Sequence, residues 1–280
     1  MSTKKNQWTE QELEYLRLNY QTMTQKEIAD KLNRTTTAVN LKASRLGLKK
    51  RFEYNRRFFS IIDTEEKAYW LGFIWADGCI SIVPETNSGE LRVELQVNDK
   101  NHLKKFNKSL NGNLQVKTRI RTNCFDGKYA DREYKTAFLR VHSIDMVNDL
   151  VNIGCVEHKS YIIGIPNLND ELMWHFVRGF FDGDGCVCYI DNKTSVRCDF
   201  TSVSTNLVNK LRTWLYSQGI NTYISMDRNK YRLCVAGKDN NFKFLSALYD
   251  NATIYLDRKY YKQKNIREHL SDPTTGCLAI

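Results

Sequence analysis

Residues 70–78 read WLGFIWADG, and residues 177–185 read VRGFFDGDG. Glycine stands third in both, an aromatic residue fourth, an apolar residue fifth and a small residue seventh, and Asp-Gly closes each. A buried helix that finishes on a carboxylate is hard to explain once. A second copy further along the chain makes it a repeat, and repeats are read before single motifs.

The surroundings of the two copies repeat as well. Asp63 with Glu66 precedes the first, and Asn169 and Asp170, following Pro166, precede the second, so both carry helix-start signals. After Asp77 come the alternating segments CISIV and ELRVELQV, the amphipathic HLKKFNKSL, the segments LQVKTRIRT and TAFLRVH, and a helix near 144–153. After Asp184 come CVCYI and RCDFTSV, LVNKLRTWLYSQG, TYISMD and YRLCVAG, and FKFLSALYD. Each half is helix, hairpin, helix, hairpin, helix. HKSY ends the first half and DRKYYK the second, so the stretch from Asp77 to Lys159 is close in length to that from Asp184 to Lys259.

On these motifs, residues 55 to 270 resemble the LAGLIDADG homing endonucleases of the single-chain, two-motif type. The resemblance implies an α+β fold with two pseudo-symmetric αββαββα repeats, whose sheets form saddle-shaped DNA-binding surfaces. The expected organisation is a helix-turn-helix module over 1–50, a basic linker over 51–62, repeat 1 over 63–165, repeat 2 over 166–270 and a tail over 271–280.

Gly72 and Gly179, at matched places, have no side chain to hold two helices apart. Ala76 and Gly183 keep the space beneath them small. Packed about a pseudo-twofold axis, as the resemblance implies, the helices bring Asp77 and Asp184 side by side at their C-termini. Two carboxylates there repel each other and the negative ends of both helices. A divalent cation makes that arrangement sensible, and Mg²⁺ suits hard oxygen ligands completed by phosphates, carbonyls and water. Phosphodiester hydrolysis needs an activated water and a neutralised leaving oxygen, and metal held by the two acids can serve both strands.

The resemblance further implies basic residues around the metal. Lys159 and Lys259 are the candidates, with Arg258 as a substitute in the second half. Sheets lying over the major groove would turn alternate residues toward DNA. In LQVKTRIRT, Lys117, Arg119 and Arg121 share one face and Val116, Thr118 and Ile120 the other, which reads as a half-buried strand with a basic exposed side. Arg92, Arg140, Arg197, Arg228 and Arg232 are further candidates. One departure stands out: the sixth motif place is often acidic in this family, as at Asp182, but the first copy has Trp75. That place reads as a helper or packing position.

The front of the chain is different in kind. WTEQELEYLRLNY spaces Trp8, Leu13, Leu16 and Tyr20 along one helical face behind Thr9 and Glu12, a capping-box pair. Thr24 and Glu27 repeat that spacing before Ile28, Ala29 and Leu32, and Asn33 and Arg34 fill a turn. Thr35 or Thr36 then caps TTAVNLKASRLGL, with Val39, Leu41 and Leu46 expected inward and Gly47 as the stop. Three short helices with a tight turn resemble a helix-turn-helix module of Myb/SANT-like or resolvase-like kind. The resemblance puts the third helix in the major groove, presenting Thr36, Thr37, Asn40, Lys42, Ser44 and Arg45. KKRFEYNRR follows as a basic linker along phosphates.

Charge agrees. The chain carries a net +10, of which residues 1–57, with 13 Lys/Arg against 6 Asp/Glu, supply +7. Such a bias favours a polyanion partner, here duplex DNA. No apolar run approaches the roughly 18 residues of a membrane span, and the N-terminus lacks a signal-peptide core, so a cytoplasmic protein is expected; the resemblance implies a phage, bacterial or organellar mobile-element setting. The eight cysteines contain no C-x-x-C pair, and Cys155 with His158 makes no zinc site; most cysteines read as small buried residues. The expected protein is a free-standing monomer, a Mg²⁺-dependent, site-specific double-strand DNA endonuclease. The alternatives are a non-cleaving DNA-binding regulator on the same scaffold and an RNA maturase.

Overall fold

In a computed structural model of the chain, residues 7–49, 51–122, 131–156, 163–190, 194–227 and 229–271 are described. They form two compact units, one of residues 1–54 with 111–115 and one of residues 55–110 with 116–280.

The first unit holds α1 (Glu10–Asn19), α2 (Gln25–Lys31) and α3 (Thr36–Arg45). Thr9 and Thr24 both form full capping boxes with the glutamate three residues on, and Thr35 caps α3 through the Ala38 N–H. Asn33 makes the turn before α3 at φ 48°, a conformation asparagine tolerates better than most residues. Leu16, Ile28, Ala29, Val39 and Ala43 are buried together. Leu41, expected inward, is 55% exposed. The inward stripe of α3 runs 39, 43, 46, and position 41 lies about 200° around the helix from 39. Arg34, read as turn filler, instead pairs side-on with Glu12 at 2.8 and 2.9 Å and lies over the Trp8 ring, tying the turn back to α1.

The second unit contains two repeats of the same topology. The first runs α4 (Glu65–Asp77), β1 (Gly78–Val83), β2 (Ser88–Gln96), α5 (Lys100–Ser109), β3 (Lys117–Thr122), β4 (Glu133–His142) and α6 (Ile144–Ile153). The second runs α7 (Asp170–Asp184), β5 (Gly185–Ile190), β6 (Ser195–Ser202), α8 (Thr205–Ser217), β7 (Thr222–Asp227), β8 (Lys230–Val235) and α9 (Gly237–Tyr249). The antiparallel sheets are ordered β1-β2-β4-β3 and β5-β6-β8-β7, one the image of the other. Matched registers, Gly78 opposite Val93 and Gly185 opposite Phe200, extend the correspondence to single residues. A further helix, α10 (Asp257–Ser271), follows the second repeat, where DRKYYK on its own announces none.

Alternation decides which face of each strand is covered. Leu91, Val93, Leu139 and Val141 are buried beneath α5 and α6, and Val196, Phe200, Leu233 and Val235 beneath α8 and α9. The opposite faces stay open. The cap of α4 is Thr64, which accepts from the Lys67 N–H, while Asp63 pairs with the Lys67 ammonium at 2.7 Å. Asn169 caps α7 as expected, accepting from Leu172 at 2.9 Å.

The centre of the unit is the packing of α4 on α7. Eight residues of α4, Ala68 to Trp75, are buried without interruption. A helix apolar all round belongs between other elements rather than at a surface. Arg178 on α7 is 2% exposed and donates to Glu65 at 2.6 Å, to the Ile254 carbonyl at 3.0 Å and to the Leu248 carbonyl at 3.2 Å. Its buried charge is therefore paired and its donors are used, the condition under which a charge is tolerated in a core.

Candidate active site

Glycine sets the distance between the two motif helices. A Cβ on Gly72 would stand 1.9 Å from the Phe176 carbonyl oxygen, and one on Gly179 would stand 1.9 Å from that of Tyr69. Each glycine touches the carbonyl three residues before the other, so the contact is reciprocal about a local twofold axis. Gly183 abuts Ala76, and the place of its missing Cβ is 2.2 Å from the Ala76 Cβ and 3.2 Å from Asp77 Oδ2. The small residues at the seventh place thus let the eighth-place acid of α4 lie against the end of α7. Asp77 is half-buried and Asp184 exposed, each the last residue of its helix. A cavity of about 380 Å³ opens beside Asp184, lined among others by Trp75, Ala76, Thr201 and Lys230.

Lys259, on α10, comes to the same place from below. It is 5% exposed, and its ammonium donates to the carbonyls of Phe181, of Gly183 at 3.3 Å and of Gly185 at 2.5 Å. A cation on the last carbonyls of α7 neutralises the negative end of that helix. Burial draws its pKa down to about 8; Asp182 opposes that shift, Arg258 adds to it, and Asp77 and Asp184 oppose it. Both motif acids act on this one ammonium, in keeping with the basic surroundings that the resemblance implies for Lys259. Arg258 pairs with Asp99 at 2.8 Å. Lys159 and Arg228 lie outside the described residues.

The sixth motif place resolves into two packing solutions. Asp182 is wholly buried and accepts from Tyr249 Oη at 2.6 Å, Tyr69 Oη at 2.7 Å and the Leu256 N–H at 2.7 Å. Burial raises its pKa, while these donors and the Lys259 ammonium pull it down. Trp75 instead donates its indole N–H to the Gly164 carbonyl at 2.8 Å and meets the Phe176 ring edge-on, fastening the segment between the repeats. One copy buries a carboxyl group with its donors, the other an aromatic ring with its N–H satisfied.

The buried network runs one step further, to His102, whose Nε2 is 3.0 Å from Tyr69 Oη. Tyr69 has one proton and gives it to Asp182, so His102 Nε2–H must be the donor to Tyr69, leaving Nδ1 as the lone-pair nitrogen. Burial first, with Lys105 and Arg258 adding to it, lowers the His102 pKa to about 3. The folded protein thus binds fewer protons than the unfolded chain between that value and about 6.5. The stability involved is fully present above pH 6.5 and is lost as pH falls. Denaturant unfolding is expected to show a loss of roughly 2 kcal/mol between pH 6.5 and pH 5. His175, lowered by burial and by Arg178, acts in the same direction. His102→Gln is expected to flatten that slope.

The open faces of the sheets carry the arginines. Arg92 and Arg140 stand directly opposite each other on β2 and β4. Like charges so placed destabilise a sheet in isolation, and Glu90, 3.7 Å from Arg140, offsets them only in part. Lys117, Arg119 and Arg121 share the open face of β3, but that strand is not half-buried as expected: it is the sheet edge, and Ile120 on its other side is 57% exposed. Arg119 and Arg121 also share a partner that sequence reading missed, Glu94 on β2. Arg197 and Arg232 flank Asp199 in the second sheet. Cys79 and Cys186 are exposed on the first strands of the two sheets, whereas Cys155, Cys198 and Cys234 are buried as expected. In the first unit Thr36, Thr37, Asn40, Ser44 and Arg45 are exposed along α3, with Lys42 half-buried. Among the described residues no helix is long and apolar enough to cross a membrane, and no cluster of three or more His, Cys, Asp or Glu side chains forms a metal site.

Residues 171–249, from α7 through α9, match a family model described as a LAGLIDADG-like domain. Among solved structures, the homing endonuclease I-WcaI bound to its DNA recognition sequence is similar over 71% of this chain and 87% of its own, at 14% identity and a TM-score of 0.53. The meganuclease I-SmaMI bound to uncleaveable DNA is similar over 72% and 88%, at 12% identity and a TM-score of 0.51. The two-repeat fold is that of these two structures. The N-terminal LAGLIDADG domain of DUF199/WhiA aligns over 73% of this chain and 92% of its own, at 16% identity and a TM-score of 0.43. No curated protein sequence matches the chain.

Proposed function

We propose that the protein is a site-specific double-strand DNA endonuclease that uses Mg²⁺ held by Asp77 and Asp184. The observation that carries this reading is the reciprocal glycine contact that delivers two motif acids to the ends of one helix pair, beside two open sheet faces rich in arginine. The donor set fits the ion. Mg²⁺ keeps most of its waters and takes one or two carboxylates plus substrate phosphate, so two acids without a third protein ligand are a sufficient share.

Bound there, the metal lowers the pKa of a water and neutralises charge on phosphate oxygens. The chain's own residues do the rest. Asp77 and Asp184 set where the two cuts fall, one for each strand. Lys259 keeps the end of α7 electrostatically balanced, so that Asp184 is held at a helix terminus that would otherwise repel it. The open faces bind the major groove, and Arg92 opposite Arg140 is a charge pair that phosphate relieves. The first unit is read as a helix-turn-helix module whose α3 adds contacts to a neighbouring stretch of duplex.

The test is incubation of the protein with DNA carrying the locus of its own gene, with and without insertion, in Mg²⁺ or in EDTA. Linear product in Mg²⁺ alone is expected. Tight, salt-sensitive binding without any cut would instead support a DNA-binding regulator.

A further inference from the structure

Glu94 holds two arginines at once. Its Oε1 accepts from Nε of Arg119 at 2.9 Å and from Nε of Arg121 at 2.7 Å, its Oε2 accepts from Nη2 of both, and Thr136 adds a third donor at 2.7 Å. Both guanidiniums therefore meet the carboxylate side-on, through the Nε and Nη2 edge. A guanidinium has five N–H donors in a rigid fork. Side-on pairing leaves the Nη1 and Nη2 edge of each to make a second bidentate contact. That edge is the one that matches guanine O6 and N7 in the major groove.

The group is built rather than incidental. Glu94 is 14% exposed, against 30% and 40% for Arg119 and Arg121, so the acid lies beneath and the guanidiniums above. Arg119 also lies over the Phe138 ring, 5.0 Å from its centroid, a cation–π contact that fixes its plane. The second sheet holds a looser counterpart: Arg197 donates its Nε to Asp199 at 3.0 Å, and Arg232 Nε lies 3.9 Å from the same carboxylate. The two acids are not register equivalents. Glu94 follows the residue paired with Gly78, and Asp199 precedes the residue paired with Gly185. An acid beside two arginines thus occurs in both sheets, at different points of the repeat.

We propose that Glu94 is a specificity-determining positioning residue, which presents the outer edges of Arg119 and Arg121 to two guanines of the target, and that Asp199 does the same for Arg197. This rests on the DNA-binding reading above. Arg119 and Arg121 are two residues apart on one strand, about 7 Å, and duplex steps are about 3.4 Å, so the two guanines lie no more than two base pairs apart. Positioning by an acid has an unusual consequence: removing the acid raises the positive charge of the surface while it loosens the reader.

The experiment is selection from a randomised duplex library by the full chain and by Glu94→Gln, with Arg121→Lys as a second variant that keeps the charge and loses the fork. The parent is expected to select a pair of guanines within two base pairs in one half of its site. Glu94→Gln is expected to lose about tenfold or more in preference for them, while its affinity for unselected duplex does not fall. Arg121→Lys is expected to lose preference at one guanine, with an unchanged salt dependence of binding. A parent that selects a site from which Glu94→Gln and Arg121→Lys do not differ overturns this proposal and leaves the DNA-binding reading standing. A parent that binds no duplex at all overturns both.

Discussion

Gly179→Ala is expected to cost on the order of 4 kcal/mol in unfolding free energy, and Gly72→Ala a similar amount. The added methyl in each case would stand 1.9 Å from a carbonyl oxygen of the facing helix. Neither side can yield: the obstacle is backbone, and α4 and α7 are themselves buried among large rings, including Phe73, Phe176 and Phe180. Relief requires the helices to separate, which opens the centre of the unit and carries Asp77 away from Gly183. Gly237→Ala is the control. Gly237 also has an unusual backbone, φ 75°, but nothing lies within 4 Å of its missing Cβ. Only the conformational cost of roughly 1 kcal/mol then applies. Denaturant titration of the three variants separates close approach from backbone strain.

Asp77→Asn and Asp184→Asn are each expected to turn double-strand cutting into nicking. If each acid serves one strand, removing one slows that cut by about three orders of magnitude, the several kcal/mol that metal stabilisation of a developing phosphate charge supplies. The nicked strands should be complementary between the two variants, which end-labelled duplex resolves directly. Loss of a negative charge at the interface should meanwhile strengthen DNA binding, so weaker cutting with tighter binding is the expected signature. Equal loss of both cuts in either variant would mean that the two cuts are not divided between the acids.

The architecture is largely legible in the sequence because the chain describes itself twice. Comparing residues 70–78 with 177–185 locates both motif helices, both pairs of hairpins and the glycines that touch, and the structure places the sheets in the same order in both halves. What comparison cannot supply is what occurs once. Among the described residues a helix like α10 follows only the second repeat, so no described counterpart draws attention to Lys259, Gln263 and Ile266 as a helical spacing. Lys259 is found by its place in the repeat, but its engagement with three carbonyls depends on how α10 lies across the end of α7.

Pairings between strands are invisible for a related reason. Glu94 and Arg121 are far apart in the chain and meet only because β4 lies between their strands. Arg34 and Glu12 meet across the first unit's helices in the same way. Strand periodicity assigns a face to each residue, and it places Lys117, Arg119 and Arg121 together. It does not say which face a helix will cover when the strand is at an edge, which is why Ile120 is exposed where a buried residue is expected. Trp75 breaks the pattern of its partner motif because the first copy borders the segment between the repeats, where the Gly164 carbonyl needs a donor.

If Asp77 and Asp184 together hold a divalent cation where the helix pair meets DNA, that ion is open to direct observation. The measurement is electron paramagnetic resonance of Mn²⁺ added to the protein bound to its selected duplex, comparing the parent with the Asp77→Asn, Asp184→Asn double variant. The parent complex is expected to retain bound Mn²⁺ that excess Mg²⁺ displaces, and the double variant to bind the same duplex while leaving the Mn²⁺ signal that of the free ion. Equal Mn²⁺ retention by both complexes would contradict a metal site built on these two acids.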